Sequence, residues 1–209
     1  MSVSAVCLSE DRYERVVLVS KYCSKSLSAA LERAFQFNTE EWKPAWNSGV
    51  FKEDHTMQAR LMKIPDNCWD GTDVAIDLTG VISFPQGIPG YTFEQQIAVA
   101  QAISEVLEGM ESIFGHSMKN MTHKMVLGVH SYCIESIASG QWHKDAMKGA
   151  VVPLTAICYF DHENINSSIS LRSCKDEKLV YSSQTEDLAL AFNNQSLEHR
   201  AHDFSQLFI

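Results

Sequence analysis

The most regular apolar pattern in the chain runs from Thr92 to Gly115. Apolar residues recur there at every third or fourth position, which is the spacing of one buried helix face. Thr92 and Gln95 together form a capping-box sequence, and Gly115 is suited to the left-handed end of a helix. The pattern therefore predicts a long helix that packs on the back of a sheet.

The rest of the first half predicts a mixture of strands and one more helix. Residues 12–22 are rich in β-branched and aromatic side chains, which favours a buried strand. An apolar stripe with Ser26 as its cap predicts a helix over residues 26–37. Two shorter strands are expected at residues 57–64 and 74–78.

The second half has a different texture, because short apolar segments alternate there with polar turns. Strands of even spacing are typical of a sandwich or a jelly roll. We therefore predict one α+β domain over residues 1–209, with a helix-rich first half and a β-roll from about residue 124. The segments that predict strands are residues 125–132, 151–160, 167–174, 178–182 and 187–192.

Composition narrows the classes of protein to which the chain can belong. An apolar fraction of 45% with 21% charged residues is ordinary for a globular protein. The net charge of −9 disfavours a nucleic-acid partner, since phosphate binding needs clustered Lys and Arg. No stretch reaches the ~18 apolar residues of a membrane span. Because charged residues also interrupt the N-terminal segment, we expect a cytoplasmic location. The six cysteines lack CxxC spacing, which favours buried, reduced thiols.

The candidate chemistry lies in residues 141–145, with the sequence QWHKD. His143 and Asp145 are two positions apart, so on a strand their side chains leave the same face and can bind one ion. His199 follows 56 residues later (199 minus 143), just after an apolar strand, and would be the third ligand. Two imidazoles and one carboxylate are typical of non-haem Fe(II) oxygenases. The alternative is a strand whose solvated face alternates polar residues by chance.

These residues also carry a resemblance to a known family. Residues 126–131 (VLGVHS), the block at 141–145, the strand at 151–160 and the strand before His199 resemble the Fe(II)- and 2-oxoglutarate-dependent dioxygenases. The likeness is to the small hydroxylases of free amino acids, of the isoleucine-hydroxylase type. It covers about residues 57–201, and its specific part is the set of metal ligands in their strand context.

The resemblance implies a fold, a cofactor set and a reaction. The fold would be a double-stranded β-helix, a cupin-like jelly roll with packing helices, and His143, Asp145 and His199 would bind Fe(II). The reaction would use O₂ and 2-oxoglutarate, release succinate and hydroxylate a C–H bond of a small, amino acid-like substrate. An aspartate at position 145 implies hydroxylation, whereas related halogenases have a small residue there.

One departure from the family concerns the arginine that holds 2-oxoglutarate. In the family this arginine lies on a final strand beyond the second histidine, but here only ten residues (209 minus 199) follow His199. Three alternatives remain open. The strand at residues 12–22 could replace the final strand, as in a circular permutation, and supply Arg15 or Arg12. Otherwise Arg200 or Arg172 could bind the carboxylate. A strand exchanged between two copies in a homodimer would also complete the roll.

Three further residues are candidates for substrate binding: His130, Arg60 and Trp142. His130 could contact substrate or orient a ligand, or be a hydrogen-bonded core residue. Arg60 could bind a substrate carboxylate or form a surface ion pair. Trp142 could line the pocket, or pack on the outer face because it neighbours His143. Two alternative functions also remain: a cupin-like metal-binding protein without turnover, and an iron oxygenase that does not use 2-oxoglutarate.

Overall fold

The predicted long helix is present, and both of its ends are as the sequence indicates. The helix α2 spans Phe93–Phe114. At its start the Thr92 hydroxyl accepts a hydrogen bond from the Gln95 amide at 3.2 Å, and the Gln95 side chain accepts one from the Thr92 amide at 2.9 Å. At its end Gly115 adopts φ 75°, the left-handed conformation that glycine adopts without strain. The prediction is confirmed.

The computed structural model describes eleven segments of the chain: residues 6–7, 16–20, 25–34, 43–44, 57–61, 71–127, 130–134, 142–147, 150–159, 167–184 and 188–203. A shorter helix, α1, spans Lys25–Ala34. The strands are β1 (Val6–Cys7), β2 (Val16–Ser20), β3 (Lys43–Pro44), β4 (Met57–Leu61), β5 (Thr72–Ile76), β6 (Ile82–Ser83), β7 (Met121–Met125), β8 (His130–Ile134), β9 (Ala146–Met147), β10 (Ala150–Val151), β11 (Leu154–Cys158), β12 (Ser167–Ser173), β13 (Leu179–Gln184), β14 (Ala189–Asn193) and β15 (Leu197–Asp203). Helices and antiparallel sheets together make this an α+β fold.

The central layer is a four-stranded sheet with the order β1-β2-β14-β11. Side chains on β14 alternate between its two faces, as they do on any strand. Ala189 and Ala191 face the helices, where they join a core that includes Leu107 and Met110. Small side chains on that face let helix α2 approach the sheet closely.

The other face of the central sheet packs against a second sheet, with the order β13-β12-β15. Leu190 and Phe192 of β14 meet Ile169 and Leu171 of β12, and Leu197 of β15 completes this core. All five side chains are fully buried. The molecule is therefore layered here as helices, central sheet, apolar core and second sheet.

The N-terminal strand joins the central sheet. Strand β2 runs antiparallel to β14, with Val16 opposite Phe192, and Val16 is buried in the same core as Leu197. Strands β2 and β11 therefore pair with opposite edges of β14. Arg15 itself is outside the described residues.

Two of the strand predictions are wrong in their boundaries. The segment at residues 125–132 is not one strand, because β7 ends at Met125 in a sheet with β5 whereas β8 begins at His130 in a sheet with β4. The segment at residues 151–160 is interrupted at Pro153, which has no amide hydrogen for a ladder. The sequence pattern predicts no strand at residues 197–203, where the structure has β15.

The structure also describes two cysteine thiols and both helices. Cys158 and Cys174 carry free thiols, as expected, but Cys174 is exposed, so the expectation of burial is wrong for it. Among the helices that the structure describes, none combines the length and the apolar character needed to span a membrane.

Candidate metal centre

The segment that holds His143 runs beside β15 and is joined to it at one point. The His143 amide donates to the His199 carbonyl at 3.1 Å, and the His199 amide donates to the His143 carbonyl at 2.9 Å. Residues that exchange both bonds are directly opposite in an antiparallel pair, so their side chains leave the same face. The two imidazole rings accordingly lie with their centroids 4.1 Å apart.

Asp145 is brought to the same place by two polar side chains. The Asn194 side chain accepts from the Asp145 amide at 3.0 Å and donates to the Asp145 carbonyl at 2.8 Å. The Thr155 hydroxyl donates to Oδ2 of Asp145 at 2.6 Å. Thr155 lies on β11 and stands opposite Phe192 of β14. Because Phe192 packs in the core between the two sheets, the Thr155 side chain points there as well. Both the backbone and the carboxylate of Asp145 are therefore fixed.

His143, Asp145 and His199 form a group that could hold a metal ion. One nitrogen from each histidine and one carboxylate oxygen lie within 4.8 Å of one another. Ligand atoms on one side of an ion at about 2.1 Å stand about 3 Å apart, so side-chain rotations would bring these atoms closer when an ion binds. The three ligands predicted from the sequence thus come together, next to the inner-face residues Thr155 and Phe192.

The environment of His199 suits a metal ligand. Its residue is only 7% exposed, and its ring lies 5.3 Å from that of Phe192. Burial lowers the pKa of His199 to about 4; the charge of Asp145 opposes this shift and that of His143 adds to it. The ring is therefore neutral at pH 7, with a lone pair to donate. Its Nδ1 atom is buried without a hydrogen-bond partner, which fits a nitrogen left for an ion.

Three other predicted site residues lie on the opposite face of the second sheet. Trp142 and Arg200 are chain neighbours of ligands and point the other way, since neighbours on a strand alternate. The guanidinium carbon of Arg200 lies 4.5 Å from the centroid of the Trp142 ring, and that of Arg172 lies 4.7 Å from it. Burial lowers the pKa of Arg200, and the charge of Arg172 adds to this shift. The structure does not bring these residues to the metal ligands.

The remaining predicted residues are placed only by their backbones. His130 begins β8 and stands opposite Leu61, while Arg60 stands opposite Ser131. Their side chains lie outside the described residues, as does all of Arg15.

Thr155 and Asn194 are the residues that sequence reasoning missed. Thr155 is the one hydroxyl residue in the strand Leu154–Cys158, and a polar residue between apolar neighbours was the available signal. Asn194 lies in the turn between β14 and β15, where asparagine side chains often bond to nearby backbone. The bonds from Asn194 reach 49 residues back along the chain, which no local pattern reveals.

The chain matches no family model, no curated protein and no solved structure in the comparisons made with each. The function has to be inferred from the chemistry of the site itself.

Proposed function

We propose that this chain is a non-haem Fe(II) oxygenase that uses 2-oxoglutarate and O₂ to hydroxylate a free amino acid or a similar small metabolite. The observation that carries the proposal is the convergence of two imidazoles and one carboxylate within 4.8 Å. This donor set, with positions left open, is the one that such oxygenases use. A bound Fe(II) ion would supply the oxidising chemistry with O₂, while the protein places the ligands and the substrate.

The bond from Thr155 supports a site with several open positions. Oδ2 of Asp145 already accepts the Thr155 hydroxyl, so Oδ1 is the oxygen left to bind an ion. Two imidazole nitrogens and one carboxylate oxygen would then occupy one side of the ion. The positions not taken by these three residues would be left for the 2-oxo acid and O₂.

The layers of the fold support the finer fold proposal, a double-stranded β-helix. Two antiparallel sheets enclose one apolar core, and His199 lies beside Phe192 of that core. The contact between His143 and His199 extends the second sheet by one more chain segment, beside β15. In this proposal the strand at residues 12–22, of which β2 is the described part, takes the place of the missing final strand, and a strand exchanged in a homodimer is the alternative.

A second function is favoured by the positions of the described arginines. Arg33 lies on α1, and Arg172 and Arg200 lie on the outer face of the second sheet, so none of these three faces the ligands. In the dioxygenase family that the sequence resembles, a guanidinium binds the distal carboxylate of 2-oxoglutarate. Of the six arginines, Arg12, Arg15 and Arg60 therefore remain as candidates for that contact. The alternative is a cupin-like protein that binds a metal without turnover, or an iron oxygenase that needs no 2-oxoglutarate.

The experiment that separates these functions is an anaerobic titration of the Fe(II)-loaded protein with 2-oxoglutarate. Chelation of iron by the 2-oxo acid gives a visible charge-transfer band, and later exposure to O₂ should release succinate. Both signals should disappear in His143→Ala. In Arg15→Gln or Arg60→Gln, only the affinity for 2-oxoglutarate should fall, with Arg33→Gln as the matched control. Iron binding without the band would refute the use of 2-oxoglutarate.

A further inference from the structure

The face of the second sheet that points away from the apolar core carries a cationic cluster that the metal site does not use. Its members are Trp142, Arg172 and Arg200, and both guanidinium groups lie against the same indole ring, at 4.7 and 4.5 Å from its centroid. A guanidinium over an indole face is attracted by the ring's quadrupole. Two like charges on one ring also repel each other, so this arrangement needs a compensating anion.

Arg172 has such an anion within the protein. Its Nε and Nη2 atoms bond to Oε2 of Glu198 at 2.8 and 2.7 Å, and Nη1 lies 3.4 Å from Glu177. The side chains of Arg172 and Glu198 are 21% and 27% exposed, so this pair lies at the surface of the sheet and solutes can approach it.

Arg200 has no such anion among the residues that the structure describes. Its Nε atom is buried without a hydrogen-bond partner, and no described carboxylate forms an ion pair with its guanidinium. A buried donor without a partner is unfavourable, because it has lost its hydrogen bonds to water without replacing them. Carboxylates are not scarce in this chain, which has 26 acidic residues against 17 Lys and Arg. The lack of a partner for Arg200 therefore suits a site that receives its anion from solution.

We propose that Trp142, Arg172 and Arg200 form a binding site for a small anion with a carboxylate or phosphate group. The planar guanidinium of Arg200 offers two parallel N–H donors to such a group. The Trp142 ring holds the fork in place, and the charge of Arg172 adds to the attraction. Glu198 neutralises part of Arg172, so Arg200 provides the main contact.

This site is separate from the metal centre. Arg200 and His199 are adjacent on β15 and project to opposite faces, as do Trp142 and His143. The anion site therefore does not rest on the proposed oxygenase function, and either one can fail without the other.

Calorimetric titration of the purified, metal-free chain tests the proposal, with inorganic phosphate and succinate as the probes. Chloride holds the ionic strength constant, because general screening would otherwise imitate binding. The wild-type chain should bind at least one probe saturably, and the tighter of the two identifies phosphate or carboxylate as the source. Arg200→Gln should weaken binding by about 10-fold or more, because a charge-assisted bidentate contact is lost. Arg33→Gln, an exposed arginine on α1, should leave it unchanged.

Two further variants make the test specific. Glu198→Gln frees Arg172 from its ion pair and should tighten anion binding, an effect that a purely structural role of the cluster would not produce. His143→Ala should keep anion binding while metal binding is lost. Arg200→Lys keeps the charge without the fork and should bind with intermediate affinity, provided that circular dichroism shows a native fold for each variant.

The proposal is overturned if the wild-type chain binds neither probe saturably. It is equally overturned if folded Arg200→Gln or Arg200→Lys binds as tightly as the wild type. Loss of anion binding in folded His143→Ala would also refute it, because the site would then belong to the metal centre.

Discussion

The hydroxyl of Thr155 should set the metal affinity of the site, although Thr155 is not itself a ligand. It donates to Oδ2 of Asp145 at 2.6 Å. The substitution Thr155→Val removes this donor and keeps the shape of the side chain. Asp145 then loses the contact that fixes its rotation, and the carboxylate can turn away from the two imidazoles.

The size of this effect follows from the strength of the lost bond. A hydrogen bond to a charged group contributes about 1.5–3 kcal/mol, which corresponds to about 10- to 100-fold in affinity. Loss of a side chain that orients a metal ligand typically lowers metal affinity by the same 10- to 100-fold. Thr155→Ser keeps the hydroxyl and should remain within about threefold of the wild type, since it loses only a methyl group.

The assay is an anaerobic titration of each variant with Fe(II), repeated with Co(II), whose visible spectrum reports the number of ligands. Thr155→Val should bind both ions more weakly, and its Co(II) spectrum should differ from that of Thr155→Ser. If the two variants bind with equal affinity and give the same spectrum, the hydroxyl does not orient Asp145, and the reasoning is refuted.

Three further predictions concern stability. Asn194→Ala removes hydrogen bonds to Asp145 at 3.0 and 2.8 Å and to the Val152 carbonyl at 2.8 Å. Its free energy of unfolding, measured with denaturant, should therefore fall by about 2–4 kcal/mol. An unchanged unfolding midpoint would contradict this. The pKa of His199 falls from 6.5 to about 4, so between these pH values the unfolded chain binds a proton that the folded chain excludes. The free energy of unfolding of the metal-free protein should therefore fall by up to about 3 kcal/mol as the pH falls through this window. His199→Gln should remove this pH dependence, whereas the control His116→Gln, at an exposed position, should keep it. Gly115→Ala should cost about 1–2 kcal/mol, because φ is 75° there, whereas Gly115→Asn should cost less; equal melting temperatures for all three proteins would contradict this.

The sequence predicts best those features that depend on near neighbours. Helix α2 has its apolar stripe and both caps within one continuous segment, so its limits at Thr92 and Gly115 could be predicted. The shared face of His143 and Asp145 follows from strand alternation alone. The same rule places Trp142 and Arg200 on the opposite face, although both are also candidates for the site from the sequence.

Features that depend on distant pairing could not be predicted in the same way. Residues 125–132 look like one strand, yet β7 and β8 belong to different sheets, because their partners β5 and β4 are chosen by tertiary packing. The bonds of Asn194 and Thr155 to Asp145 join segments that are 49 and 10 residues apart. Their polar side chains look like ordinary turn and strand residues until the fold brings them together.

We expect His143, Asp145 and His199 to hold one metal ion together. Anaerobic titration with Fe(II), followed by metal analysis of the desalted protein, counts the bound ions. We expect one ion per wild-type chain, and none in His143→Ala or His199→Ala when both variants remain folded. A wild-type chain without bound metal, or a folded variant that keeps the full complement, would contradict the account.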